Sequence, residues 1–173
     1  MEETDGRAAD LDDVDLDLLE RVETDFDVNL EELSDELGLS KSAVHYRLTK
    51  LRENGVITGV TADLDPLAFG LNMAMITNVN VNHEQGYSEE IGAALAAIPG
   101  VNRVYYTMGD VDFVVIARVQ DRQQMNSLID EIVAVDGVDE TASRFVMKEL
   151  KTDDRVLANM SEAMHTAVLD EED

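Results

Sequence analysis

Residues 29–55 read NLEELSDELGLSKSAVHYRLTKLRENG, a pattern that predicts two helices joined by a tight turn. Asn29 is a typical N-cap for the first helix, and Gly38 suits the left-handed conformation that ends it. Ser40 begins the second helix in the same way, and Gly55 stops it. Two short helices with Gly and Ser in the turn between them form a helix-turn-helix arrangement.

A further helix is expected before this pair, with Asp13 or Asp15 as its N-cap and its end near Asp25. Its apolar residues recur at helical spacing, namely Val14, Leu18, Leu19 and Val22. The first domain is therefore expected over residues 11–60, after an acidic flexible tail at residues 1–10.

The second helix of the pair has two different faces when it is unwrapped at about 100° per residue. Val44, Leu48 and Leu51 share one face and are expected in the core. Short polar side chains and a Tyr occupy the opposite face, with cations on both flanks. Such a face can read base edges with its centre and hold phosphates with its sides. The predicted DNA contacts are Ser40, Lys41, Ser42, His45, Tyr46, Arg47, Thr49, Lys50 and Arg52.

The charge of the chain is unevenly distributed. There are 13 basic and 38 acidic residues, and the resulting net charge of −25 by itself argues against a nucleic-acid partner. Residues 37–60, however, carry a net charge of +3, whereas residues 1–36 and 61–173 carry −14 each. This cluster indicates a local anion-binding patch, and a solvated helix face is the simpler alternative.

The later part of the sequence alternates strands with helices. A strand linker is expected at residues 61–71, followed by a second domain at 72–151. Asp121 is expected to cap the second helix of that domain, with Gln124 at the capping-box position. The predicted order is strand Met73–Val81, helix Ser88–Ile98, strands Val101–Met108 and Phe113–Val119, a helix after Asp121, and strand Thr141–Leu150.

This βαββαβ order is the ferredoxin-like arrangement. The predicted fold class is therefore α+β, with an N-terminal winged-helix-like helix-turn-helix domain joined by a strand linker to a ferredoxin-like domain. Residues 97–101 and 134–138 have similar sequences, and each stretch connects a helix to the strand that follows it. Residues 152–173 are expected to form a C-terminal helical tail, capped by Asp153 or Asp154 and ending in the acidic sequence DEED.

The sheet of such a domain has one face without helices. Residues 113–119 are apolar at nearly every position, as is typical of a strand that is buried on both faces. A second subunit is therefore expected to cover the open face, and the protein is predicted to be a homodimer.

Several classes of function are disfavoured. The chain has no Cys, and His45, His83 and His165 are scattered without metal-ligand spacing. There is no phosphate-binding glycine loop and no nucleophile elbow, so neither catalysis nor a metal or organic cofactor is expected. No apolar run approaches 18 residues and the N-terminus is acidic, so a cytoplasmic protein without membrane contact is expected.

Several motifs together resemble one family. They are LGLSKSAVHYR at 37–47, LRENGVITG at 51–59, LDP at 64–66 and GDVDF at 109–113. With the predicted domain order, over about residues 11–150, the sequence resembles the Lrp/AsnC family of feast/famine transcription regulators. GDVDF looks like the Gly-Asp-aromatic-Asp turn of that family, with Val111 in place of the aromatic residue.

The resemblance implies a dimer that places two recognition helices on a pseudo-palindromic DNA site. It also implies assembly into dimers, tetramers or octamers, with an amino acid bound between subunits as effector. Carried onto this chain, the effector contacts would be Thr107, Met108, Gly109, Asp110, Asp112, Thr141 and Ser143. A plain hairpin turn is the alternative explanation of residues 109–112.

Two further expectations concern partners and environment. A small-molecule sensor or oligomeric adaptor whose helical domain binds protein is the alternative to a DNA-binding regulator. The acidic composition, with only four lysines, resembles that of cytoplasmic proteins from extreme halophiles, which predicts a haloarchaeal-type member of the family. At about 1 M salt the Debye length falls to about 3 Å, so the self-repulsion of the acids would be screened.

Overall fold

A computed structural model describes residues 9–25, 29–82 and 87–169. These residues form two compact units. We call them the N-terminal unit, which comprises the chain up to Asp63 together with the segment from Lys151, and the sheet unit, Leu64–Leu150. Residues 1–8 of the expected acidic tail and the closing DEED lie outside the described residues.

Three helices form the helix-turn-helix part of the N-terminal unit. They are α1 (Asp13–Thr24), α2 (Leu30–Leu37) and α3 (Lys41–Glu53). The predicted caps of α2 and α3 are confirmed, since Asn29 and Ser40 accept backbone N–H groups and the C-cap Gly38 has φ +64°. The N-cap of α1 is neither Asp13 nor Asp15 but Asp12. It forms a capping box in which Asp15 occupies the N3 position.

An aliphatic core holds these helices together. Its buried members are Leu18, Leu33, Val44, Leu48 and Leu51, each less than one-tenth exposed. The helical spacing of Val44, Leu48 and Leu51 places all three on one side of α3. The predicted inward face of this helix is therefore confirmed, and its opposite face is left to solvent.

The linker differs from its prediction. The structure assigns no strand among residues 56–71, and Pro66–Phe69 forms a 3-10 helix instead. Asp65 caps this helix by accepting the N–H of Leu67 at 2.9 Å, and Gly70 ends it with φ +73°. Pro66 lies at the start of the helix, where its missing N–H costs nothing and its fixed φ favours a turn over a strand.

The C-terminal segment is not the single helix that was predicted. It contains a 3-10 helix, Leu157–Asn159, and α6, Glu162–Leu169. The carboxylate of Asp153 accepts the guanidinium of Arg155 at 2.8 Å instead of capping a helix. The Glu23 carboxylate of α1 accepts the N–H of Leu157 at 2.9 Å, which joins this segment to the helix-turn-helix part of its own unit.

The sheet unit confirms the predicted βαββαβ order. Its elements are β1 (Met73–Val81), α4 (Tyr87–Ala96), β2 (Val101–Tyr106), β3 (Phe113–Val119), α5 (Arg122–Val133) and β4 (Val138–Phe145). The strands form one antiparallel sheet in the order β2-β3-β1-β4. β4 begins and ends earlier than predicted, since a bulge at Asn80/Val81 lets Val138 pair with Val81.

The start of α5 differs from its predicted capping box in one contact. Asp121 accepts the N–H of Gln124 at 2.9 Å, as expected of the N-cap. The side chain of Gln124 reaches past Asp121, however, and accepts the N–H of Gln120 at 2.9 Å.

Two glycines explain the repeated pattern between helix and strand. Gly100 follows α4 and Gly137 follows α5, with φ values of +93° and +92°. A Cβ atom at Gly137 would lie 2.7 Å from Cδ1 of Ile91, and one at Gly100 would lie 3.0 Å from Cδ1 of Leu128. Each helix thus packs against the turn that follows the other, and both turns need glycine for conformation and for space.

The sheet has a covered face and an open face. On β3, Phe113, Val115, Ala117 and Val119 are buried in the core beneath α4 and α5. Val114 and Ile116 point to the open face and are only partly covered.

Candidate nucleic-acid interface

The outward face of α3 carries exposed side chains with hydrogen-bonding groups. Tyr46 is 68% exposed, and Ser42 and His45 are exposed beside it. Ser40 accepts the N–H of Ala43 at 3.2 Å, and its hydroxyl lies 3.0 Å from that of Ser42. The face therefore presents an aromatic ring, an imidazole and hydroxyls to any partner that docks on it.

The side chain of Thr49 is less exposed than predicted. Its hydroxyl donates to the carbonyl oxygen of His45 at 2.9 Å, and the side chain is partly buried. A Thr hydroxyl that is donating to its own helix can still accept a hydrogen bond, but it offers no proton to a base edge. Thr49 is thus the least accessible of the predicted central contacts.

The four cations of α3 differ in their partners. Lys50 and Arg52 are exposed, and within the described parts of the chain no carboxylate lies within salt-bridge distance of either. Lys41 Nζ lies 3.0 Å from a carboxylate oxygen of Glu31, with both side chains more than half exposed. A pair this exposed contributes about 0–1 kcal/mol, so Lys41 can exchange Glu31 for another anion.

Arg47 is held by two carboxylates of α1. Its Nη1 donates to Asp12 at 2.8 and 2.9 Å and to Asp15 at 2.7 Å. The Arg47 side chain is 28% exposed and that of Asp15 only 12%. The structure thus places a predicted phosphate contact in an ion triad that joins α3 to α1.

The triad shifts the pKa values of Arg47 and Asp12. Hydrogen bonds to Asp15 and Asp12 raise the pKa of Arg47. Partial burial opposes ionisation of Asp12, but hydrogen bonds from the Asp15 backbone and from Arg47 outweigh it and lower the pKa of Asp12. Asp12 and Arg47 are therefore both charged at neutral pH. Removal of Arg47 from Asp15 would leave a largely buried carboxylate without its cation, which costs about 1–3 kcal/mol or more.

The predicted effector residues of the β2–β3 turn form a tightly bonded loop. Thr107 donates its N–H to the Asp112 carbonyl at 2.8 Å, and the Asp112 carboxylate accepts the N–H of Val81 at 2.9 Å. Met108 is 99% exposed, and a Cβ atom at Gly109 would meet nothing within 4 Å. The Asp112 carboxylate therefore supports the loop, while residues 108–110 are open to solvent.

The other two predicted effector residues lie elsewhere in the sheet. Thr141 and Ser143 belong to β4, and strands β3 and β1 separate β4 from β2. The Ser143 hydroxyl lies 2.9 Å from the hydroxyl of buried Thr77. Thr141 lies opposite Val79, which also pairs with Phe113 next to Asp112, so β1 alone separates Thr141 from the end of the turn.

Two features near these sites were not anticipated. The first is the pair of carboxylates that binds Arg47. The Asp-x-x-Asp spacing at residues 12–15 is that of a capping box, but it does not reveal that the distant Arg47 binds both side chains. Next to the β2–β3 turn, the hydroxyls of Tyr87 and Tyr106 lie 2.8 Å apart, and this hydrogen bond raises the pKa of Tyr87 to about 12.

Two kinds of feature are absent from the described residues. Among them, no group of three or more His, Asp or Glu side chains is placed to bind a metal ion. None of the helices that the structure describes is long and apolar enough to cross a bilayer.

Comparisons with known proteins agree with this architecture. Residues 11–58 match a family of winged helix-turn-helix DNA-binding domains, and residues 75–156 match the Lrp/AsnC ligand binding domain. The HTH-type transcriptional regulator FL11 of Pyrococcus furiosus is 35% identical over 138 residues, covering 80% of this chain and 90% of FL11. The FL11 protein of Pyrococcus horikoshii is 36% identical over 141 residues, covering 82% and 92%.

A solved structure gives the same result for the fold. A transcriptional regulator of Neisseria meningitidis, in complex with L-Met, superimposes with a TM-score of 0.80 at 25% identity, covering 86% of this chain and 97% of the other. The two domains define a DNA-binding transcriptional regulator with a ligand-binding domain. The chain belongs to the Lrp/AsnC family.

Proposed function

We propose that this regulator reads double-stranded DNA with the outward face of α3. Ser42, His45 and Tyr46 would face base edges in the major groove, and Lys50 and Arg52 would hold phosphates on either side. The observation that carries this proposal is an exposed face with uncompensated cations on a chain whose net charge is −25. Lys41 and Ser40 would add contacts at the N-terminus of the helix.

The alternative of a helical domain that binds protein has less support. Its main argument was the acidity of the chain, but residues 37–60 carry a net charge of +3. The winged helix-turn-helix match at residues 11–58 also favours DNA as the partner. The proposed activity is regulation through binding, without catalysis.

We propose that the open face of the sheet forms a homodimer interface. Ile116 lies opposite Ile76 on the neighbouring strand, and Val114 lies opposite Asn78. Tyr105 and Arg103 continue this face on β2. An apolar centre with polar edges is typical of a surface that a second copy covers. The dimer would place two α3 helices on a pseudo-palindromic site about one helical turn apart, and tetramers or octamers would build on it.

We propose an amino acid as effector, bound where two copies meet. The match to a ligand binding domain and the L-Met complex of the Neisseria regulator support this proposal. The open backbone at Gly109 can approach a carboxylate closely, and Asp110 can receive an ammonium group. Thr107 and Met108 flank these groups. Thr141 and Ser143 lie on β4, which β1 alone separates from β3, and they would complete the site from the same copy or from a second one.

We propose that the protein works in a cytoplasm of high salt, as a haloarchaeal-type member of its family. The support is compositional, with 38 acidic residues, 13 basic residues and only four lysines. At low salt the acids repel one another and the DNA phosphates, and dense cations screen both effects. Ordinary counterion release, in contrast, weakens DNA binding as salt rises.

Replacement of Tyr46 tests the DNA-binding face. The Tyr46→Ala variant is expected to bind a duplex selected from a random library about ten- to a hundredfold more weakly, the scale of one lost base contact. Fluorescence anisotropy measures the affinity in molar KCl. The control is Phe69→Ala, which removes a similarly exposed ring from the sheet unit and should leave binding unchanged. Unchanged binding by Tyr46→Ala would contradict the proposed face.

Replacement of Ile116 tests the dimer. An Ile116→Glu side chain places a charge in the centre of the proposed interface, so sedimentation velocity should show monomers. Val133→Glu adds the same charge at an exposed position of α5 and should remain dimeric. The dimer proposal fails if the unaltered protein sediments as a monomer, or if Ile116→Glu remains a dimer.

Calorimetric titration with the common amino acids tests the effector. At least one should release or absorb heat, and Gly109→Ala should abolish that signal because φ is +141° there. Gly59→Ala, at an open position of the N-terminal unit, is the matched control. An absence of heat, together with unchanged DNA affinity and assembly, would rule the effector out.

The salt dependence tests the environment. DNA binding is expected to persist at molar potassium salt, and the fold is expected to loosen at low salt, because screening relieves acid–acid and acid–phosphate repulsion. Anisotropy and circular dichroism across the salt range measure both properties. The halophilic proposal would be falsified if affinity fell steeply between low and molar salt while the fold stayed intact throughout.

A further inference from the structure

The flank of α3 that contains Arg47 and Lys50 presents two cations in opposite states. Lys50 is exposed and has no carboxylate partner among the described residues. Arg47, three positions earlier, directs its Nη1 at three carboxylate oxygens of α1, all within 2.9 Å. Arg47 and Lys50 therefore differ in their capacity to bind a phosphate.

The triad also removes the attraction of Arg47 for anions. Asp12 and Asp15 bring two negative charges to one guanidinium, so the cluster as a whole carries about one negative charge. A phosphate that approached Arg47 would meet the Asp12 carboxylate, which is 54% exposed, before it reached the cation. The charge of Arg47 is thus neutralised by its two carboxylate partners, whereas the charge of Lys50 has no such partner among the described residues.

The triad also restricts the rotation of α3. Apart from the exposed Lys41–Glu31 pair, α3 contacts its unit mainly through aliphatic side chains such as Val44, Leu48 and Leu51. Aliphatic packing tolerates small rotations, but a guanidinium that donates to two carboxylates fixes both direction and distance. The carboxylates themselves are held by the capping box of α1, in which the Asp15 N–H donates to Asp12 at 2.8 Å.

We propose that Arg47 is a positioning residue, which sets the orientation of α3 through Asp12 and Asp15 and makes no phosphate contact of its own. His45 and Tyr46 directly precede it in the chain, so a small rotation of α3 about its axis displaces both from the base edges. The inference rests on the DNA-binding face proposed above. It replaces the role of phosphate contact that the sequence pattern suggested for Arg47.

Three variants separate positioning from phosphate contact, namely Arg47→Met, Asp15→Asn and Lys50→Met. Affinities are measured by anisotropy as a function of KCl concentration. The probes are a duplex selected from a random library by the unaltered protein and a scrambled duplex of the same composition. Circular dichroism establishes that each variant is folded. Asp15→Asn keeps the shape of the side chain, so it serves even if Arg47→Met does not fold.

The positioning role predicts the same pattern for Arg47→Met and Asp15→Asn. Both should weaken binding to the selected duplex about ten- to a hundredfold, with little change for the scrambled duplex. The slope of log affinity against log salt should match that of the unaltered protein. Lys50→Met, as the phosphate-contact control, should weaken both duplexes alike and reduce the magnitude of the slope by about 0.9.

A phosphate-contact role predicts the opposite sign for Asp15→Asn. That variant would release Arg47 and strengthen binding to both duplexes, and Arg47→Met would reduce the slope as Lys50→Met does. Either result would overturn the inference, and so would unchanged affinity in both triad variants. Failure of the unaltered protein to enrich any duplex would instead contradict the proposed DNA-binding face itself.

Discussion

Burial of one face of α3 is the constraint on which the rest of the DNA-binding unit depends. Val44, Leu48 and Leu51 enter the aliphatic core, and each buried side chain of this size contributes about 1.5–3 kcal/mol. An exposed ion pair such as Lys41–Glu31 contributes about 0–1 kcal/mol, so the core decides which face of α3 turns inward. The partly buried Arg47 triad would then fix the remaining rotation of the helix about its axis. The helical period then directs His45 and Tyr46 outward, onto the proposed DNA-reading surface.

The strongly acidic surface limits which cations of α3 can serve that reading surface. Arg47 lies at the border between the core and the exposed face, where it forms ion pairs with Asp12 and Asp15. Lys50 and Arg52 are exposed and have no carboxylate within salt-bridge distance among the described residues. A chain with a net charge of −25 thus presents two cations without a carboxylate partner among the described residues on the exposed side of α3.

What could be predicted from the sequence depended on how local the responsible contacts are. The caps Asn29 and Ser40 were predicted because a cap bonds to N–H groups two or three residues away. The βαββαβ order followed from hydrophobic periodicity, which is also local. The predicted tail helix failed because Asp153 turns to Arg155 instead of capping. The partners of Arg47 lie more than thirty residues away, and the predicted effector residues are divided between the β2–β3 turn and β4, so neither arrangement is visible in spacing alone.

Protection of guanine N7 from dimethyl sulfate shows whether paired α3 helices bind in the major groove. N7 faces the major groove, whereas the methylated position of adenine, N3, faces the minor groove. In molar KCl, the unaltered protein is expected to protect N7 in two half-sites about 10–10.5 base pairs apart, or a multiple of that spacing. Retardation of the same DNA without N7 protection, or protection confined to adenine N3, would contradict the account.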